Sequence, residues 1–157
     1  MGIYFEHSAE HNFMLIVLHG AITNDEVNAH INRLLSGEYT APGTRGLMVL
    51  CKNISTQQLG WRTVFDSGMR MRAAKFRQSG KLAIVAESSL AYGLARIYQT
   101  ATDSREIDET RVLRREEMDE AIAWLDIHTL APHINTRVQA CETPQSEEPK
   151  RAVPPPE

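Results

Sequence analysis

His7-Ser8-Ala9-Glu10-His11 matches H-x-x-E-H, a pattern in which two imidazoles hold zinc and the glutamate serves as general base. That chemistry needs both histidines on one helix face. These residues fall where a strand pattern gives way to a polar turn, so the match reads as accidental and no metal is expected. Cys51, with Lys52 beside it, is a second candidate. A neighbouring cation lowers a thiol pKa and supplies a thiolate nucleophile. Cysteine is also among the most buried residue types, and no His or Asp stands at a telling spacing, so a small apolar filler is the favoured reading. Ser55-Thr56 and Ser88-Ser89 each stand where a helix is expected to begin. Helix N-termini favour a phosphate or carboxylate, and a phosphate carried by Ser55 or Thr56 would be stabilised there. The plainer reading makes these serines N-caps, worth about 1 kcal/mol each. Glu87 beside the second pair disfavours an anion.

The fourth candidate is a charge pattern. Residues 62–81 carry Arg62, Arg70, Arg72, Lys75, Arg77 and Lys81 against the single acid Asp66. A basic amphipathic helix suits an anionic membrane surface or an acidic partner. The alternative is a solvated face with Arg62–Asp66 and Asp66–Arg70 as i,i+4 pairs. Trp61, Phe65, Met69, Met71 and Phe76 accompany these charges. Such large, adaptable side chains serve promiscuous apolar surfaces as well as cores. If this helix hinged from its neighbours at Gly60 or Gly68, an apolar pocket would open beneath it.

These side chains must be positioned by regular elements. Ile3 and Phe5 alternate with Tyr4 and Glu6 as a half-buried strand, and Phe13 to Leu18 is a second, fully apolar one. Thr23 and Glu26 fit a capping box, with Ile22 and Val27 as the staple pair, before the stripe Val27-Ile31-Leu34-Leu35. Leu47–Leu50 is a third strand. Ser55 with Gln58, stapled by Ile54 and Leu59, repeats the helix signature. That helix is expected to bury Leu59, Trp61, Val64, Phe65, Met69, Ala73 and Phe76. Leu82–Ala86 is strand four. Ser88 or Ser89 opens a helix with the stripe Leu90-Leu94-Ile97-Tyr98-Ala101. A short strand at Arg111–Leu113 and a helix with Met118, Ala121, Ile122 and Leu125 inward complete the series; Trp124 lies on that helix's flank. After about Leu130 the pattern dissolves. Residues 1–130 are therefore expected to form the domain and 131–157 an extension, disordered from about 142, where prolines and charges dominate.

The whole chain has 157 residues, 17 Lys+Arg against 20 Asp+Glu and a net charge of −3. Length points to one domain, and the charge balance argues against a nucleic-acid binder. Two cysteines exclude a disulfide scaffold. The longest apolar run, Phe13–Leu18, is far short of the ~20 residues that span a bilayer. A cytoplasmic protein with reduced thiols is expected.

Alternating strands and helices predict an α/β domain with a mixed sheet. Ala86-Glu87-Ser88-Ser89-Leu90-Ala91-Tyr92-Gly93-Leu94-Ala95-Arg96-Ile97-Tyr98 is similar to the third-helix region of SpoIIAA-like proteins, of the bacterial STAS/SEC14-type group. Arg111-Val112-Leu113-Arg114, followed by Glu120-Ala121-Ile122-Ala123-Trp124-Leu125, resembles the last strand and helix of the same family. The resemblance implies a single SpoIIAA/STAS-like domain, with a mixed five-stranded sheet and about four helices packed mainly on one side. It implies no enzyme and no cofactor. Relatives are protein-interaction modules, anti-sigma-factor antagonists among them, with a link to SEC14-type lipid-binding domains. The antagonists carry a phosphorylatable Asp-Ser-Ser-Gly-like motif where this chain has Asn53-Ile54-Ser55-Thr56. The Asp is missing, and Asp66-Ser67-Gly68 lies two turns into the expected helix. The chain thus departs from the antagonists at the residues of their phospho-switch.

The expected function is a non-enzymatic module docking a partner protein, ahead of a carrier of a small apolar or lipid-like ligand, with catalysis by Cys51 or the serines last. The residues expected to contact the partner or ligand are Ser55, Thr56, Trp61, Arg62, Phe65, Met69, Arg70, Ser88 and Ser89. A homodimer is a reasonable prior for a domain of this size.

Overall fold

The computed structural model describes residues 2–39, 41–103 and 108–143. Its elements run β1 (Ile3–Ser8), β2 (Phe13–Leu18), β3 (Ala21–Thr23), α1 (Asn24–Leu34), β4 (Arg45–Leu50), β5 (Ser55–Gln58), α2 (Trp61–Ala73), β6 (Gly80–Ala86), α3 (Ser89–Thr102), β7 (Asp108–Arg114), α4 (Met118–Leu125) and α5 (Ala131–Glu142). The five-stranded sheet has the order β1-β2-β4-β6-β7. Only β1 is antiparallel to its neighbour. The sheet is mixed, as expected.

The topology dictates where the helices go. The chain steps from β2 to β4 to β6 to β7, always to the next parallel neighbour in one direction. Right-handed crossovers then place α1, α2 and α3 on the same face. Even-numbered residues of the parallel strands point to that face: Met14, Ile16, Leu18, Leu50, Leu82, Ile84 and Ala86 share one core with Ile31, Val64, Met71 and Tyr98. Odd-numbered residues Leu15, Val17, Leu47, Val49, Ala83 and Val85 share the other core with Ala121, Ile122 and Leu125 of α4. Three of the four expected helices thus lie on one face.

The fifth helix was not expected. Ala131–Glu142, assigned from the sequence to an extension, is α5, with Ile134, Val138 and Cys141 buried against the odd-numbered face. The domain therefore reaches Glu142 rather than Leu130. Pro132 sits in the first turn of α5, where its missing N–H costs nothing. Two polar ties fasten the helix to distant elements. His133 Nε2 lies 2.5 Å from Glu6 Oε2 on β1, and Glu142 Oε2 accepts from Arg115 at 2.5 Å. The disorder expected from about residue 142 falls on residues 144–157, which lie outside the described residues.

The helix starts show where local signals held. Thr23 caps α1, its Oγ1 accepting from the Glu26 N–H at 3.1 Å. Glu26 completes no capping box there, because its carboxylate accepts from the Gly2 N–H at 3.3 Å. Ser88 caps α3, accepting from the Ala91 N–H at 3.1 Å. Ser55 does not cap α2. It belongs to β5, which pairs in parallel with β3, and the Ser55 N–H donates to Gly20 O at 2.7 Å. The helix begins six residues later, with Gly60 as its N-cap. The S-x-x-Q signature was outcompeted by a strand pairing that sequence spacing does not show. The buried side of α2 is also rotated from the expected one: Val64, Ser67, Gly68 and Met71 face inward.

Candidate functional site

The two sequence-adjacent candidates at Cys51 and the serines do not form a catalytic constellation among the described residues. Cys51 is fully buried in the odd-numbered core. Burial, with the Glu142 carboxylate and Cys141 nearby, pushes its thiol up to about 12. It is held as a thiol, not a thiolate. His7 lies in β1 with its ring against Tyr39. His11 sits in the following turn, 2.9 Å from Ser8 Oγ. The helix face that a zinc-protease motif requires is not formed there.

The candidate site lies on the other face of the sheet. Between the even-numbered strand residues and α1, α2 and α3 is an apolar cavity of about 80 Å³. Its floor follows the strand register. Ile16, Met48 and Ile84 stand in one row across β2, β4 and β6, and Leu18 and Leu50 in the row nearer the carboxyl ends. Its roof is Val27, Ile31 and Leu34 from α1, Val64 from α2, and Leu94 and Ala95 from α3. Thr56 and Leu59 close the upper end.

Two nitrogen-bearing side chains interrupt this apolar wall, His30 and Arg77. Arg77 is only 1% exposed. Its guanidinium lies against β4 at Gly46: a Cβ added there would stand 3.5 Å from Arg77 Nε and Nη2, at ordinary contact distance. The segment that delivers Arg77 is strained. Lys75, Gln78 and Ser79 all adopt left-handed φ, at 50°, 46° and 71°. Non-glycine residues tolerate that region at a cost of about 1–2 kcal/mol each. Phe76 and Arg77 are the residues this bent segment turns inward.

His30 packs edge-on against Phe5, ring centroids 5.6 Å apart. Its Nε2 is buried without a hydrogen-bond partner. Burial, then the positive charges of Arg33 and Arg77, lower its pKa to about 4. The ring is therefore neutral at pH 7. Because the folded pKa lies below the unfolded one, the stability linked to His30 is complete above about pH 6.5 and is lost as pH falls toward 4. We expect His30 to cost the fold about 2 kcal/mol at pH 5 relative to pH 7. Urea unfolding of the wild type and His30→Gln at both pH values checks this: the variant should lack that share of the acid loss.

The expected contact residues scatter over this region. Thr56 lines the cavity, whereas Ser55 is outside its wall. Phe65 is half-buried on α2. Trp61 and Met69 are 55% and 43% exposed. Arg62 and Arg70 are exposed as well; Arg62 lies 5.2 Å over the Trp61 ring and Arg70 donates to Asn32 Oδ1. Neither Asp66 pair is among the ion pairs of the described residues. Ser88 is a cap, and Ser89 is an exposed first residue of α3. His30 and Arg77 were missed as site residues. His30 had no local signal, and Arg77 was grouped with solvent-facing charges because the strained turn that buries it leaves no glycine at its left-handed positions.

No family model matches the sequence, and no curated protein matches it. Among solved structures the chain is similar to an uncharacterized protein from the DUF3478 family with a SpoIIAA-like fold, from Shewanella loihica PV-4. That similarity has 18% sequence identity and a TM-score of 0.47, and covers 78% of this chain and 91% of the other. Among the described residues, no helix is long and apolar enough to cross a membrane.

Proposed function

We propose that this domain is a non-enzymatic binding module whose ligand is a small apolar molecule held between the sheet and α1, α2 and α3. The observation that carries this reading is the cavity itself. Cores are close-packed, with few voids larger than a water. At about 80 Å³, this one exceeds the ~10–15 Å³ that admits one water. It is about half the size of an engineered ~150 Å³ apolar cavity that binds benzene. It therefore takes a small group as it stands, and a lipid-like chain only if a wall moves. The protonated, buried Cys51 and the capping role of Ser88 support a binding rather than a catalytic role.

Xenon is a suitable probe, since dry apolar cavities take it up. Methyl NMR under xenon pressure should show saturable shifts at Ile84, Leu34 and Leu94, with the odd-numbered face unmoved. Shifts that never saturate, or that spread over both faces, would overturn the reading.

A second reading has its own observation. Trp61, Met69 and Leu90 are the large exposed apolar side chains of α2 and α3, Leu90 at 65%. Aromatic and Met side chains are enriched at protein interfaces. Docking of a partner protein through this edge would be abolished by Trp61→Ser with Leu90→Ser, while xenon uptake stayed intact.

A further inference from the structure

We propose that the free edge of β1 is covered by the β1 of a second copy of this chain, joining two five-stranded sheets into one continuous sheet. The proposal does not depend on the cavity.

β1 and β7 are the two edges of the sheet. An edge strand presents unpaired N–H and C=O groups, and proteins guard such edges with charges, prolines, bulges or covering segments. β7 is guarded. Glu109, Arg111 and Arg114 are exposed along it. The Thr110 N–H donates to Asp103 Oδ1 at 3.0 Å, and Thr110 O accepts from Gln99 Nε2 at 2.9 Å, both from the end of α3. β1 has no such cover. Its sequence, Ile3-Tyr4-Phe5-Glu6-His7-Ser8, contains no proline, and its register with β2 runs unbroken over the whole strand. Its one carboxylate, Glu6, is held between the Tyr4 hydroxyl and His133. The His19 N–H donates to Gly2 O at 2.8 Å, which fixes the even-numbered residues of β1 as those bonded to β2. The N–H and C=O groups of Ile3, Phe5 and His7 therefore point away from the sheet. Among the described residues, no strand and no loop backbone takes them up.

This strand is its own complement. About a two-fold axis at Phe5, Phe5 faces Phe5 of the second copy, Ile3 faces His7 and Tyr4 faces Glu6. The odd-numbered pairs exchange two backbone bonds each. Their side chains meet beside a groove of about 200 Å³ that Ile3 and Phe5 line together with α1. On the face covered by α5, each Glu6 stands across from the other copy's Tyr4. Arg137 lies 4.5 Å over the Tyr4 ring and makes no ion pair among the described residues. The pairing thus brings a carboxylate to an unmatched cation on both sides of the axis. Opposite charges across strands stabilise a pair, and like charges directly opposite destabilise it. The same rule selects the register. A shift of two residues one way sets Glu6 against Glu6, and the other way carries His7 and Ser8 past the start of the partner strand.

The test is analytical ultracentrifugation of the full chain, with amide hydrogen exchange carried out at the same concentrations and read by NMR. At about 100 μM the wild type is expected to sediment as a dimer, at twice the 17.7 kDa chain mass. The Phe5 and His7 amides should be protected there and lose protection on dilution, while Glu6 stays protected throughout. His7→Pro removes an outward N–H and leaves the β1–β2 ladder intact, so it should weaken the dimer about tenfold. Protection of Glu6 and of its β2 partner Leu15 reports that the variant is folded. A wild type that remains monomeric at about 100 μM would overturn the proposal. A dimer whose Phe5 and His7 amides exchange freely would overturn it too, since the contact then lies on another face. So would a folded His7→Pro as dimeric as the wild type. Should that variant fail to fold, exchange at Phe5 and His7 in the wild type still decides.

Discussion

Ile134→Ala is expected to destabilise the domain by about 4 kcal/mol, within the range for emptying a fully buried aliphatic site. Ile134 is completely buried, in one cluster with Val17, Val49 and Leu125. α5 is tied near both ends by side chains, His133 to Glu6 and Glu142 to Arg115. The site can therefore relax only in part, which keeps the cost in the upper half of the range. Urea unfolding followed by circular dichroism measures it. If residues beyond Leu130 were an extension outside the domain, the same substitution would change stability by no more than about 0.5 kcal/mol. This single measurement separates the two descriptions of the chain.

Gly80→Ala is expected to cost about 3 kcal/mol, from backbone crowding rather than from a lost contact. A Cβ at this position would stand 2.0 Å from Thr44 O and 2.8 Å from Thr44 N. Neither atom belongs to a side chain that can swing away. Thr44 is fully buried, and its Oγ1 donates to Ala41 O at 2.6 Å. Its carbonyl also accepts from the Lys81 N–H at 3.2 Å. Either β6 shifts from β4 at its first residue or the 41–44 turn opens, and overpacking of this kind typically costs ~1–3 kcal/mol. The backbone identity of the clash places it at the upper end. Thermal unfolding of the variant checks the value. A change below about 0.5 kcal/mol would show that the turn yields freely.

The architecture was legible because several weak signals agreed. The apolar run at Phe13–Leu18 and the alternation at Ile3–Glu6 gave the central and edge strands. Thr23 and Ser88 gave two helix starts that the hydrogen bonds match. Element order then fixed the parallel steps, and handedness fixed the face. Ser55 shows where local reading ends. Its S-x-x-Q pattern satisfies every local rule for a helix start, yet Gly20 and Ala21, far away in sequence, recruit it into a strand. Pairing of this kind has no signature in the segment itself.

α5 is a different case, since its signals were present. Pro132 in the first turn and the spacing Ile134-Val138-Cys141 mark a short amphipathic helix. The proline-rich stretch beyond it obscured them. Least legible was the candidate site. A cavity is a property of three packed helices and a sheet, and none of its rows is visible before the register is known. His30 and Arg77 stand far apart in sequence, and only the crossover geometry brings both to one wall.

The late position of α5 in the chain has a consequence for synthesis on the ribosome. The odd-numbered residues of β2, from Phe13 to Val17, leave the exit tunnel early, whereas Ile134 and Val138, which cover them, come more than a hundred residues later. At ~5–20 residues per second the delay is about 5–25 s. Throughout it the first face can pack under α1, α2 and α3 while the second stays bare until α4 is made and incompletely covered until α5 follows. The nascent protein therefore passes through a half-covered species with one sticky side. Holdase chaperones and aggregation compete for that intermediate, and a codon change that slows translation before residue 131 would lengthen its life without altering the finished protein.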